Sequence, residues 1–272
     1  MQSDIPYLGE LRSETMDLHL PPGPAAGQAR PAMVVIHGGG FCGGDKADPR
    51  EQSICADLVE AGYVCASINY ALSSRHDRWA AYPRNLLDAR CAVAHLREHA
   101  SEYGVDPGRI GAIGGSAGGT LSLWLALTGG RQDLRPPGLA DSLADSLPDG
   151  LSVAVQVAVN LYGPTDFGQP LPFGTPPDLI AEASPIHQVT ADAPPVLTVQ
   201  GTADHLVSPL HARLLQEALD RAGVPNQVHF VEGGTHGMDL QPPQDDLRPV
   251  VLPFLDRSLG RPPASRNRPC PQ

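Results

Sequence analysis

The chain has 272 residues, with 30 acidic and 19 basic side chains and a formal net charge of −11. A chain of this length can bury a full core without disulfide bonds, and its acidic balance argues against nucleic acid and anionic membrane surfaces as partners. No apolar run approaches the roughly 20 residues of a membrane-spanning helix, and residues 1–7 lack the basic and apolar regions of an export signal. We therefore expect a cytoplasmic protein without a membrane or nucleic-acid partner.

The spacing of apolar residues alternates between the two-residue period of strands and the longer period of helices. In chain order it predicts an antiparallel edge strand at 15–20, strands at 32–37, 63–69, 109–113, 151–159, 196–200 and 227–231, and helices at 50–61, 84–103, 116–127, 177–183, 207–222 and 247–259. Parallel strands need helical crossovers, which cover a sheet on both faces. The pattern predicts an α/β protein with a doubly wound, mostly parallel sheet and helices on both faces.

No repeat or linker divides the chain, so we expect one domain over residues 1–260 and a disordered tail at 261–272. Two irregular segments, residues 129–150 and 164–190, are rich in proline. Because proline restricts the backbone, we interpret them as fixed walls of a pocket above the carboxyl ends of the strands. Fixed walls predict short acyl substrates and no activation at a lipid surface.

The strongest local motif is Gly114-Gly115-Ser116-Ala117-Gly118, between a predicted strand and a predicted buried helix. A serine on such a sharp turn projects its oxygen above the sheet, and the crowded turn favours glycine at the flanking positions. The helix N-terminus behind it offers N–H groups to developing negative charge. We therefore interpret Ser116 as a nucleophile.

A second glycine run, His37-Gly38-Gly39-Gly40-Phe41, follows the strand predicted at 32–37. Glycines there leave N–H groups free to face a cleft, as an oxyanion hole requires. Gly38, Gly40 and Gly43 also match a dinucleotide-binding pattern, but that fold needs a helix starting within the run and an acidic residue after the next strand. Asn69 ends that strand instead. We favour the oxyanion loop, with His37 as a structural residue.

A serine nucleophile needs a histidine base and a carboxylate that orients it. His236 lies in a loop directly after the last predicted strand, where a sheet of this class places its site. Asp204 also follows a strand and is the favoured carboxylate. Asp166 is the alternative, although an aspartate just after Gly-Pro-Thr is typical of a turn.

The runs HGGGF, GGSAGG, GTAD and THG together resemble the α/β-hydrolase esterases of the hormone-sensitive-lipase and BD-FAE-like (feruloyl/acetylxylan esterase-like) group, over residues 31–259. The resemblance implies an α/β-hydrolase fold. It also implies Ser116, Asp204 and His236 as catalytic residues, with an oxyanion hole formed by the N–H groups of residues Gly39, Gly40 and Ala117. One departure is visible, because many members carry Asp-Tyr-Arg-Leu where this chain has Asn69-Tyr70-Ala71-Leu72.

These observations predict a serine carboxylic ester hydrolase for short or small acyl esters, without cofactor or metal. They leave both a monomer and a homo-oligomer open. An amide-type hydrolase such as kynurenine formamidase, which shares an HGG motif and the triad, is the alternative. A non-catalytic ligand-binding protein of the same fold is a third hypothesis, but such proteins tend to lose a member of the triad.

Five cysteines, an odd number without a CxxC pair, indicate free thiols in a reducing compartment and no zinc framework. Only Cys55 and Cys65 are candidates for pairing if the protein is oxidised.

Overall fold

The computed structural model describes residues 1–9, 12–23, 29–129 and 152–262. Its strands are β1 Gln2–Ile5, β2 Met16–His19, β3 Arg30–Ile36, β4 Val64–Ile68, β5 Val105–Gly115, β6 Ala158–Leu161, β7 Val196–Gly201 and β8 Asn226–Val231. Its helices are α1 Pro49–Ala61, α2 Arg84–Glu98, α3 Ala100–Tyr103, α4 Ala117–Thr128, α5 Pro177–Ala183, α6 Leu210–Ala222 and α7 Arg248–Leu259, with a 3₁₀ turn at Pro185–His187. The strands form one sheet in the order β1-β2-β4-β3-β5-β6-β7-β8.

The central strand β3 shows why both faces of the sheet are covered. Its fully buried side chains alternate, with Ala32, Val34 and Ile36 in one core cluster and Met33 and Val35 in another. The first cluster includes side chains of α2 and α4, and the second includes side chains of α1 and α7. The six strands β3 to β8 all pair in parallel with their neighbours in this group. The predicted doubly wound, mostly parallel sheet is confirmed.

The amino-terminal edge differs from the prediction. β2 is antiparallel to β4, as expected, but it does not lie at the edge because β1 pairs with its outer side. The four residues of β1 are mostly exposed and carry no apolar alternation. A strand that buries so little has no hydrophobic signature in the sequence.

The strand predicted at 151–159 was placed wrongly, since β6 is shorter and begins at Ala158. The preceding residues are rich in valine, but side chains hold much of their backbone. Arg97 donates to the carbonyls of Ser152 and Ala154, and the Gln156 side chain accepts the N–H of Ile110 at 2.9 Å. In the described residues before β6, backbone pairing with β5 is limited to Gln156 and Val157, through Gln156 N–H to the Ile110 carbonyl at 2.8 Å and Ala112 N–H to the Val157 carbonyl at 3.0 Å.

Other differences are small. The helix predicted at 84–103 divides at His99 into α2 and α3, and β5 extends in both directions beyond its predicted residues. Within the described ranges, no helix is long and apolar enough to cross a membrane. Cys42, Cys55, Cys65 and Cys91 are free thiols. Residues 130–151 and 263–272, with most of the predicted insertion and tail, lie outside the described residues.

Candidate active site

Ser116 lies at the turn between β5 and α4, with φ 57° and ψ −122°. Its N–H donates to the carbonyl of Leu161 at 2.9 Å, which joins the turn to the end of β6. The turn leaves no space for side chains, since a Cβ on Gly118 would lie 2.0 Å from the carbonyl oxygen of Ile36. A left-handed serine held this way has little freedom to relax. Its hydroxyl is fixed above the sheet.

The structure brings three of the predicted residues into one hydrogen-bonded chain. The Ser116 hydroxyl lies 2.9 Å from Nε2 of His236, and Nδ1 of His236 lies 2.8 Å from Oδ2 of Asp204. With the proton on Nδ1, the imidazole donates to the carboxylate and accepts from the serine. This is the arrangement that a general base needs to take a proton from a hydroxyl.

The Asp204 carboxylate is held from several sides. Oδ1 accepts the N–H groups of Leu206 and Val207, each at 2.9 Å. Burial alone raises its pKa, but the hydrogen bonds from His236 and from these backbone groups outweigh burial and lower the pKa. The carboxylate therefore remains charged and keeps its orientation towards the imidazole.

Gln200, at the end of β7, is a supporting residue that no sequence motif indicated. It is fully buried, and its Nε2 lies 3.1 Å from Oδ2 of Asp204 and 3.1 Å from the carbonyl of Val207. Both neighbours are acceptors, so the amide must present its NH₂ group to them. Gln200 thus donates to the same carboxylate oxygen that accepts from His236.

A second buried group holds the other side of the His236 loop. The Tyr162 hydroxyl donates to the carbonyl of Met238 and accepts from Nη1 of Arg50 at 2.9 Å. Its ring lies edge-on to the His236 ring, with centroids 4.8 Å apart. Burial, only partly offset by Arg50, raises the pKa of Tyr162 to about 12, so the hydroxyl keeps its proton. Glu51 in turn accepts from Arg50.

The three residues predicted to form the oxyanion hole lie around the same cleft as Ser116 and His236. Gly39 and Gly40 have φ of 103° and 59°, and a Cβ on Gly39 would lie 2.0 Å from the carbonyl oxygen of Gly43. Across the described ranges, their N–H groups donate to no protein acceptor. Ala117 is the first residue of α4, where an N–H has no partner within the helix.

His37 and Asp166 lie outside this hydrogen-bonded chain. His37 is buried, stacks on Tyr70 with ring centroids 4.3 Å apart, and its Nδ1 lies 2.8 Å from the carbonyl of Gly38. The Asp166 carboxylate closes a turn by accepting from the N–H of Gly168 and the side chain of Gln169. Both side chains bond within their own loops.

The cleft above Ser116 has a volume of about 390 Å³. Apolar and cationic side chains share its wall with the residues above: Phe41, Cys42, Arg50, Arg75, Arg78, Pro164, Pro172, Phe173, Leu206 and Val207. Three of these belong to the proline-rich segment at 164–190, which supports its interpretation as a wall. The ring of Phe41 packs against Trp79, Trp124 and Phe167 beneath.

A profile of the BD-FAE family matches residues 16–219. The chain belongs to this family. Esterase LipQ of Mycobacterium tuberculosis is 31% identical over 248 residues, which are 88% of this chain and 57% of LipQ. The chain spans about half the length of the curated relatives it matches.

Solved structures of esterases share the fold over most of the chain. Est2, a thermophilic esterase of Thermogutta terrifontis solved with butyrate bound, matches with a TM-score of 0.77 at 25% identity over 97% of this chain and 96% of Est2. A truncated carbohydrate esterase from gut microbiota matches with a TM-score of 0.74 at 25% identity, over 90% of each chain. The resemblance to BD-FAE-like esterases and the α/β-hydrolase fold are confirmed.

Proposed function

We propose that this BD-FAE protein is a serine carboxylic ester hydrolase in which Ser116, His236 and Asp204 form the catalytic triad. The observation that carries the proposal is the hydrogen-bonded chain from Asp204 through His236 to Ser116. It ends in a cleft beside N–H groups of Gly39 and Gly40 that find no acceptor among the residues described. LipQ and Est2, with which it shares the family or the fold, are named esterases.

The reaction follows from this geometry. Ser116 Oγ attacks the ester carbonyl while its proton passes to Nε2 of His236, and Asp204 stabilises the imidazolium that forms. The carbonyl oxygen becomes an oxyanion, which accepts hydrogen bonds from the N–H groups of Gly39, Gly40 and Ala117; one such donor typically contributes about 3 kcal/mol. His236 then protonates the leaving alcohol, and an acyl ester remains on Ser116.

Water completes the cycle by the same route. His236 takes a proton from the water, whose oxygen attacks the acyl carbonyl, and the oxyanion forms again in the same hole. Collapse releases the carboxylic acid and returns the proton to Ser116 Oγ. No step needs a cofactor, and the described residues contain no cluster of three His, Cys, Asp or Glu side chains that could hold a metal.

The dimensions of the cleft favour short acyl groups. Its volume of about 390 Å³ is at the low end for small-molecule sites, and Pro172 and Phe173 are part of its wall. Est2, solved with butyrate, offers a precedent. We expect the highest turnover on acetyl to butyryl esters, a steep fall beyond about eight carbons as the chain overruns the wall, and no activation at a lipid surface. A cytoplasmic location, suggested by the free thiols, is part of the same proposal.

Hydrolysis of p-nitrophenyl butyrate by the protein and its Ser116→Ala variant tests the assignment. Ser116→Ala should retain the fold and less than about a thousandth of the activity, because the serine supplies chemistry and little packing. Ser122→Ala is the matched control, since Ser122 is a buried serine of α4 whose hydroxyl, among the described residues, donates to the Gly118 carbonyl and does not bond to the His236 side chain. An active, folded Ser116→Ala would refute the proposal.

Comparison of ester and amide substrates distinguishes the esterase from an amide hydrolase. Faster turnover of N-formylkynurenine than of p-nitrophenyl acetate would favour the amide reaction. Higher rates on palmitoyl than on butyryl esters, or a rate jump above the micellar threshold, would contradict the short-chain cleft.

A further inference from the structure

The wall of the cleft carries a charge opposite to that of the protein. Three arginines, Arg50, Arg75 and Arg78, line the cleft, and none of its lining residues is Asp or Glu. The chain as a whole has 30 acidic and only 19 basic residues. A cationic cleft in an acidic protein attracts anions to that place rather than to the surface generally.

Arg50 is neutralised within the fold. Its guanidinium donates to Glu51, which is almost fully buried, and to the Tyr162 hydroxyl. Its role in holding the His236 loop accounts for its presence in the cleft. The excess positive charge therefore comes from Arg75 and Arg78.

Arg78 is fixed but has no counter-ion. Its Nη1 donates to the carbonyl of Gly40 at 2.7 Å, and its Cζ lies 4.5 Å from the centre of the Phe173 ring. In the part of the chain that the structure describes, no carboxylate lies within salt-bridge distance of it. A guanidinium has five N–H donors in a planar fork, so the contact with Gly40 leaves donors available on the cleft side of the oxyanion loop.

Arg75 is more exposed and lines the mouth of the same cleft. Among the described residues it forms neither a hydrogen bond nor an ion pair. Two arginines three positions apart thus face one cleft without a protein anion to pair with. A planar guanidinium matches the geometry of a carboxylate and is more weakly hydrated than an ammonium group.

We propose that Arg75 and Arg78 form a subsite for a carboxylate on the substrate, so that the enzyme prefers esters carrying a free carboxylate over neutral esters of the same shape. The proposal rests on the esterase function proposed above and specifies its substrate class. The carboxylate can belong to the acyl part or to the alcohol part of the ester, and separate substrate pairs distinguish the two.

Two pairs of esters provide the measurement. For the acyl side, monomethyl succinate is compared with methyl 4-methylpentanoate, in which an isopropyl group replaces the carboxylate. For the alcohol side, 4-acetoxybenzoate is compared with its methyl ester. The readout is the ratio of kcat/KM for the charged ester to kcat/KM for the neutral ester, so a general effect of Arg78 on the oxyanion loop cancels.

We expect the ratio of one pair to fall about fivefold in Arg75→Gln and in Arg78→Gln, and further in the double variant. Raising NaCl from about 0.05 to about 0.5 M should lower the wild-type ratio, because screening weakens exposed charge pairs. Arg221→Gln is the matched control, since Arg221 is an exposed arginine at the far end of α6 and does not line the cleft. Its ratio should equal that of the wild type.

A ratio that stays within about twofold of wild type in the double variant, for both pairs, would overturn the subsite. If the double variant still hydrolyses the neutral esters at the wild-type rate, the proposed esterase function is unaffected by that result. Binding of the charged esters to Ser116→Ala, measured by calorimetry, does not depend on turnover. If the double variant on that background binds them as tightly as Ser116→Ala alone, the subsite is refuted even where hydrolysis is slow.

Discussion

Two aspartates at the same edge of the sheet have very different surroundings. Asp166 follows β6 and Asp204 follows β7, which are neighbouring strands. The Asp204 carboxylate bonds to His236, which reaches Ser116. The Asp166 carboxylate is occupied by its own turn, and its neighbour His211 accepts backbone N–H groups from Thr165 and Asp166 instead.

The difference shows that position at a strand end does not by itself make a catalytic carboxylate. Asp166 and Asp204 are both buried, and each lies beside a histidine, His211 and His236 respectively. In Asp204 the backbone occupies one oxygen, and the other accepts from the imidazole and from Gln200. In Asp166 both oxygens are occupied by local donors. The direction of the available lone pairs decides which aspartate orients a base.

The largest predicted contrast is between the two Asp→Asn variants. Asp204→Asn should lower kcat on p-nitrophenyl butyrate by roughly 10⁴, because the amide favours the wrong histidine tautomer. Asp166→Asn should change kcat only slightly, because its carboxylate bonds within a turn. Circular dichroism of both variants checks that the fold is retained, and the opposite ranking would show that the carboxylate was assigned wrongly.

The two aspartates also differ in their glutamine neighbours, which sharpens the comparison. Gln200 donates to Asp204, and Gln169 donates to Asp166. Gln200→Leu removes a hydrogen bond to the proposed catalytic carboxylate and should lower kcat about tenfold. Gln169→Leu removes the equivalent bond at the other aspartate and should leave kcat within about twofold.

Steady-state kinetics and thermal unfolding of both glutamine variants separate positioning from stability. A positioning role predicts that kcat falls in Gln200→Leu while KM changes little. Equal kcat values in the two variants would mean that Gln200 only packs the core.

The smallest predicted effect concerns the pH dependence of stability near Asp166. Burial lowers the pKa of His211, more than Asp166 and Asp204 raise it. The unfolded chain therefore binds this proton at higher pH than the folded protein does. The contribution of neutral His211 is complete above its ordinary pKa of 6.5 and decreases as the pH falls towards the lowered value.

His211→Asn keeps an acceptor for the N–H groups of Thr165 and Asp166 but does not titrate. Urea unfolding at about pH 7.5 and about pH 5.5 should show a smaller loss of unfolding free energy in His211→Asn than in the wild type. If His211→Asn loses as much unfolding free energy as the wild type between the two pH values, protonation of His211 does not affect stability.

Local sequence motifs were enough to predict the three triad candidates, because each one lies at a turn or strand end that its neighbouring residues define. Ser116 stands on a turn where glycines are required by the close approach of β3. Asp204 follows the fully buried strand β7, and His236 follows the half-buried edge strand β8, in which Val228 and Phe230 alternate with polar residues. The parallel sheet then places these strand ends at one edge. Residue type, order and strand position were therefore sufficient to name these three as candidates.

Residues whose role depends on contacts between distant parts of the chain could not be predicted from local motifs. Gln200 is an ordinary residue at the end of a strand, and only the fold reveals that its amide meets Asp204. Arg75 and Arg78 lie in a loop without periodicity, and only the folded surface shows that no carboxylate of the described ranges pairs with them. The failed strand prediction at 151–159 has the same origin, since Arg97 comes from a distant helix to bind that backbone.

Covalent labelling tests the central claim most directly. A fluorophosphonate ester reacts with a serine that an adjacent base activates, and the adduct can be located by peptide mass spectrometry. The account predicts a single adduct on Ser116 in the wild type, no adduct in Ser116→Ala, and strongly slowed labelling in Asp204→Asn. An adduct at another residue with parallel loss of esterase activity, or an active enzyme that is not labelled, would contradict it.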